Sequence, residues 1–210
     1  MNLFYKILRG TLRFLLAILN GNAHYENRNK LPTDTSYILV APHRTWIDPV
    51  YLAIAASPKQ FTFMAKKELF QNPILSWFIR HANAFPVDRA NPGPSAIKTP
   101  VKILKNGHLS LMIFPTGTRH SNEIKGGAAT IAKLSGVPIV PAVYQGPTKL
   151  GGILKRKKVT IRFGDPINID PKIKLSKENL ALIDKQIQQA FDQLDLEIDP
   201  SFKYDYPNMK

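Results

Sequence analysis

The chain has 210 residues, with 29 Lys and Arg against 15 Asp and Glu, a formal net charge of +14. That length supplies one sizeable core without staples, and 44% hydrophobic with 21% charged residues lies far from the apolar-poor composition of disordered chains. Without Cys, disulfide scaffolds, thiolate metal sites and cysteine nucleophiles are excluded, while the positive charge leaves nucleic acid, an anionic lipid surface and phosphorylated small molecules open as partners.

The first predicted element is a helix. Leu3, Phe4, Ile7, Leu8, Leu12, Leu15, Leu16, Ile18 and Leu19 surround a polar stripe of Asn2, Lys6, Arg9 and Arg13, whose spacings of three and four put it on one helical face. Spanning a bilayer is disfavoured: Arg9 and Arg13 near its midplane cost about 2.5–3.5 kcal/mol each, against roughly 0.5 kcal/mol gained per apolar residue. Arg13 also shortens the apolar stretch to residues 14–19, too little for a signal peptide. The pattern favours a helix lying flat, apolar side toward acyl chains and basic stripe toward anionic head groups. An ordinary core helix is the rival reading. Residues 1–22 are accordingly read as an amphipathic membrane-interface helix and 23–210 as the globular domain.

After a polar linker at 20–35, apolar runs of strand length at 37–41, 61–65, 85–87, 109–114 and 139–143 alternate with helical segments at 49–56, 73–80, 95–106 and 127–135. This alternation predicts an α/β fold, a single domain with a largely parallel central sheet flanked by helices. Phe70 and residues 73–79 form either a second membrane-contacting surface or buried core. A later strand at 159–163 is placed at the sheet edge. Leu180, Ile183, Ile187, Ala190 and Leu194 mark an amphipathic helix capped by Ser176, and residues 195–210 are assigned no structure.

Ligands of such sheets sit beyond the carboxyl ends of the strands, which directs attention to four loops. The first, residues 41–49, reads Ala-Pro-His-Arg-Thr-Trp-Ile-Asp-Pro. Five residues separate His43 from Asp48, about 140° on a continuous helix, so the two meet only if a turn intervenes. Pro49 is suited to the first helical position, making Asp48 the expected N-cap. Asp48 then either serves as a cap alone or holds one nitrogen of His43, leaving the other to take a proton from a hydroxyl. Two further loops end strands with arginines: Asp88-Arg89 after residues 85–87, and Phe114-Pro115-Thr116-Gly117-Thr118-Arg119-His120. Guanidinium groups bind phosphate through paired hydrogen bonds, Gly117 permits close backbone approach, and Thr116 and Thr118 add hydroxyl donors. The fourth loop, 137–142, has no ionisable group and lines an apolar path or closes the core.

In order and together, these segments resemble the 1-acyl-glycerol-3-phosphate acyltransferase family, the lysophosphatidate acyltransferases. The resemblance implies a histidine general base at His43 and an orienting aspartate at Asp48. Its second motif, glycine-alanine-phenylalanine-proline-valine-aspartate-arginine, is similar to residues 83–89, with Asn83 in place of glycine; asparagine is the next best residue at a left-handed position. Its third motif carries glutamate where this sequence has Thr116. The resemblance further implies that Arg89, Arg119 and Lys66 bind the acceptor phosphate, that Thr116, Gly117 and Thr118 position the substrate, and that the fourth loop associates with the acyl donor.

The activity so implied is transfer of an acyl group to the sn-2 hydroxyl of lysophosphatidic acid, giving phosphatidic acid. No metal and no bound cofactor are implied; acyl-CoA, acyl-ACP (on an acyl carrier protein) or acyl phosphate enters as co-substrate. A membrane phospholipid surface is the expected partner, nucleic acid is not, and the expected location is the cell membrane, peripheral or monotopic on its cytoplasmic side. Glycerol 3-phosphate or another lysophospholipid stands as an alternative acceptor. A basic nucleic-acid-binding module and a metal-dependent phosphoester hydrolase using His43, Asp48 and His120 are the readings from other classes.

Overall fold

A computed structural model describes residues 2–88, 91–116, 124 and 126–204. In chain order the elements are α1 (Leu3–Asn20), β1 (His24–Glu26), β2 (Ile38–Val40), α2 (Asp48–Ala55), β3 (Phe61–Lys66), α3 (Pro73–His81), β4 (Ala84–Val87), α4 (Ser95–Lys105), β5 (Ser110–Ile113), α5 (Gly127–Ser135), β6 (Ile139–Gln145), α6 (Leu150–Leu154), β7 (Thr160–Phe163) and α7 (Lys177–Ile198). The strands form one seven-stranded sheet in the order β1-β7-β6-β2-β5-β3-β4. Among the described strand pairs, β6–β7 is antiparallel and the rest are parallel.

The apolar runs become strands because both sheet faces are covered. In β2, Leu39 enters the core shared with α1 and α2, through Leu16, Tyr51 and Leu52. Its neighbours Ile38 and Val40 point the other way, into a core completed by Leu104, Ile131, Ile187 and Phe191 of α4, α5 and α7. One strand buried on both faces anchors a three-layer α/β/α stack, as the continuous apolar character of residues 37–41 requires.

Helix α1 satisfies parts of both readings of the amino terminus. Tyr5 and Leu16 are buried and Leu12 packs beside the same core, while Leu3, Ile7, Phe14 and Ile18 are exposed. Residues 3, 7, 14 and 18 fall within about 60° of one another at 100° per residue, so they make an outward apolar stripe opposite the inward one. The basic stripe departs from expectation at Arg9. Its guanidinium turns inward, donating to the Lys59 carbonyl at 2.6 Å and lying 5.6 Å from the centre of the Tyr5 ring. No described helix is long and apolar enough to cross a membrane.

Other differences have local causes. Strand β7 is interior, because His24–Glu26, polar and read as linker, pairs with it in parallel and takes the edge. The fourth loop closes the core rather than lining a path: Ile139, Val140 and Ala142 of β6 are fully buried. Helix α3 has no buried residue, and its Ile74 and Trp77 are 81% and 55% exposed, which decides against the core reading of residues 73–79. Residues 195–204 are structured in part, since α7 runs to Ile198 and Phe202 and Tyr204 pack against Arg44.

Candidate active site

Four neighbouring strands, β2, β5, β3 and β4, deliver their carboxyl ends to one rim of the sheet. His43 follows β2, Thr116 follows β5, Lys66 ends β3 and Asp88 follows β4. The strand ends that carry the first three loop motifs, far apart in the chain, therefore become neighbours through strand order alone.

The loop between β2 and α2 turns back on itself before the helix begins. Asp48 is the first residue of α2, one place later than the cap position expected, and Ile47 precedes it. Its carboxylate serves the loop upstream: Oδ2 accepts from the Arg44 amide at 2.7 Å and the Thr45 amide at 2.8 Å, and lies 3.2 Å from His43 Nδ1. Asp48 is fully buried whereas the His43 side chain keeps 16% of its surface. A buried carboxylate that accepts from two amides favours the tautomer with hydrogen on Nδ1. Nε2 is then left with its lone pair, the arrangement a proton acceptor needs. On one side the imidazole stacks against Phe114 with centroids 4.3 Å apart, so β5 and the third motif fix the ring's plane.

His43 borders a cavity of about 780 Å³ enclosed by α1, α2, α3, the ends of β3 to β5 and the start of α5. Leu8, Leu12, Val50, Ile54, Phe63, Met64, Phe78, Ile97, Phe114 and Ile131 line it. Tyr5, Arg9 and His43 are the polar side chains among its described lining residues. Burial pushes the Tyr5 phenol up to about 12. This space is an apolar container of ligand size with one imidazole at its wall.

The second motif, described as far as Asp88, opens on the turn its sequence suggested. Asn83 adopts φ +64°, the left-handed conformation that glycine or asparagine accepts, and its side chain adds something glycine lacks. Asn2 Nδ2 donates to Asn83 Oδ1 at 2.9 Å and Asn83 Nδ2 donates to the Phe61 carbonyl at 3.3 Å, tying the start of α1 to the α3–β4 turn and to β3. Thr116 is buried. Lys66 is exposed, 3.8 Å from Glu68, outside the lining of the cavity; its neighbour Lys67 pairs with Asp88 at 2.5 Å. Arg89, Gly117, Thr118, Arg119 and His120 lie outside the described residues.

Arg44 was missed by the sequence reading. It is buried beside His43, donating through Nη1 to the Tyr144 carbonyl at 2.8 Å and Asp195 Oδ1 at 2.9 Å, and through Nη2 to Asp195 Oδ2. The rings of Phe202 and Tyr204 lie 4.9 and 5.4 Å from the guanidinium carbon. A signal existed, since Asp195 continues the i+4 row of Ile183, Ile187 and Phe191 and puts a carboxylate on a buried stripe.

Known proteins match the chain over this region. A family model described as Acyltransferase matches residues 22–145, which contain the whole rim. The chain belongs to the acyltransferase family. This O-acyltransferase is 53% identical over 196 residues to the 1-acyl-sn-glycerol-3-phosphate acyltransferase of Streptococcus pneumoniae, covering 93% of this chain and 74% of that protein. It is 40% identical over 198 residues to the Bacillus subtilis protein of the same name, covering 93% and 98%. A 1-acyl-sn-glycerophosphate acyltransferase from Thermotoga maritima, solved by crystallography, shares the fold with a TM-score of 0.71, covering 95% of this acyltransferase and 81% of that chain at 24% identity.

Proposed function

We propose that this acyltransferase moves an acyl group from an activated donor to the sn-2 hydroxyl of 1-acyl-glycerol-3-phosphate, giving phosphatidic acid, with His43 as general base. The observation that carries the reading is the His43–Asp48 contact of 3.2 Å on the wall of an apolar cavity of about 780 Å³, in a chain whose relatives bear the name of that reaction. Nε2 takes the hydroxyl proton as the oxygen attacks the acyl carbonyl carbon. The tetrahedral oxyanion then collapses, the bond to the carrier breaks, and the proton passes from the imidazolium to the leaving group. Asp48 stabilises the transient imidazolium, and no covalent enzyme intermediate is needed. Acyl-CoA, acyl-ACP and acyl phosphate all supply such a leaving group. The cavity suits a fatty chain, for which burial is worth about 0.8 kcal/mol per methylene.

Arg89 and Arg119 are assigned to the acceptor phosphate with Lys66 as an outer contributor, and Thr116, Gly117 and Thr118 to substrate positioning, on the motifs' correspondence to the family and on the meeting of β5, β3 and β4 at one rim. The enzyme works from the membrane surface, peripheral or monotopic on the cytoplasmic side. Support comes from the outward stripe of Leu3, Ile7, Phe14 and Ile18 on α1 and from exposed Ile74 and Trp77 on α3, linked where Phe4 packs edge-on against Trp77 at 5.5 Å. Purified protein given lysophosphatidate and each donor in turn should yield phosphatidate by mass spectrometry. Turnover of glycerol 3-phosphate in its place, with lysophosphatidate untouched, would refute the acceptor.

A further inference from the structure

We propose that Arg44, Asp195 and Tyr204 are positioning residues, a strut by which the carboxyl-terminal region holds the His43 loop in its working geometry. The inference rests on the reading of His43 as the base. The imidazole is oriented by Asp48, and Asp48 is itself held by the amides of Arg44 and Thr45, so the geometry of the pair depends on the backbone at residues 44 and 45. That backbone is fixed from outside. The Tyr204 hydroxyl donates to the Arg44 carbonyl at 2.7 Å, and the Arg44 side chain is pinned to β6 through the Tyr144 carbonyl and to α7 through Asp195. Gln145 Nε2 in turn donates to Asp195 at its carbonyl, 2.9 Å, and at Oδ1, 3.0 Å, which sets the direction of the carboxylate.

Arg44 is not a substrate ligand in this geometry. It is 7% exposed, it is outside the cavity lining, and its charge is matched by a carboxylate 151 positions along the chain. A planar fork held by a carboxylate and a carbonyl, with aromatic rings over it, restricts direction as apolar packing does not. Residues 199–204 are therefore part of the catalytic support although they lie far from the motifs in sequence.

The test compares Tyr204→Phe, Asp195→Asn and Arg44→Lys with the parent enzyme and with His43→Ala, in lysophosphatidate-containing vesicles, reading kcat, both KM values and the melting temperature. Tyr204→Phe removes one hydroxyl and should lower kcat about three- to tenfold, with both KM values within about twofold and melting unchanged, because small displacements of a catalytic group are expensive in rate. Asp195→Asn should lower kcat roughly ten- to a hundredfold, and Arg44→Lys, which keeps charge without the fork, should not restore the parental rate. Parental kcat in folded Tyr204→Phe and Arg44→Lys, or losses confined to KM, would overturn the strut; these two variants decide the matter if Asp195→Asn fails to fold. Full turnover by His43→Ala would instead overturn the general-base reading, so the two failures are distinct.

Discussion

On the β6 side of β2, the loop bearing His43 is bounded by buried, directional contacts: Asp48 accepting from two amides, and Arg44 fastened to Tyr144 and Asp195. On the β3 and β4 side, the same rim meets a helix with no buried residue and a broad apolar hollow. The contrast follows from what each side must do. Under the proposed function, proton transfer tolerates little positional error, so directional hydrogen bonds hold the loop there; an acyl chain has no directional groups to match, and shape and dryness suffice for it.

The sharpest way to break this comparison is His43→Ala, which should lower kcat roughly 10²- to 10⁴-fold with the melting temperature little changed; a loss below tenfold would remove the imidazole from the chemistry. Asp48→Asn follows, with an expected loss of roughly 10- to 100-fold in kcat as the orienting charge disappears. In Asp48→Ala the amides of Arg44 and Thr45 also lose their acceptor, costing about 1–3 kcal/mol in denaturant unfolding. The two faces of α1 offer a third comparison. Leu16→Ala, on the buried face, should cost about 2–5 kcal/mol. Ile7→Ser and Phe14→Ser, on the exposed one, should change stability by no more than about 0.5 kcal/mol yet reduce flotation with anionic vesicles; equal flotation would leave the outer stripe without its assigned role.

The smallest effect concerns pH. Burial raises Tyr5 and Tyr51 to about 12. A phenol whose pKa is raised on folding adds stability that is complete below its unfolded value near 10. That stability is lost as pH climbs from about 10 to about 12. Tyr51→Phe should flatten the fall across this window in alkaline denaturation, and an unchanged slope would detach the phenol from it.

The sequence made legible whatever was local. Buried strands announced themselves as apolar runs, and the turn needed between His43 and Asp48 followed from a five-residue spacing and a proline. The left-handed turn at Asn83 was equally readable, since only backbone sterics were involved. Strand β1 was hidden because an edge strand pairs on one side only and tolerates His24 and Glu26. Helix α6, five residues with two glycines, lacks the period that would expose it. Arg9 was misread because its carbonyl partner on Lys59 is 50 positions away, and Arg44 was overlooked because its carboxylate is 151 away; no spacing rule links such pairs. The amino-terminal helix was read as facing lipid, with core as the rival, and its buried face through Tyr5 and Leu16 went unassigned because a single helix can present two apolar stripes.

Tyr5, Leu8 and Leu12 of α1 are at once wall of the acyl cavity and underside of the exposed stripe, and Asn2 clips the helix down through Gln60 and Asn83. On the proposed reading, the first half of α1 is roof and keel together. Under the proposed function, trimming it away would open the cavity and remove the lipid-facing stripe together, so evolution could alter one duty of this segment only by substitutions that spare the other.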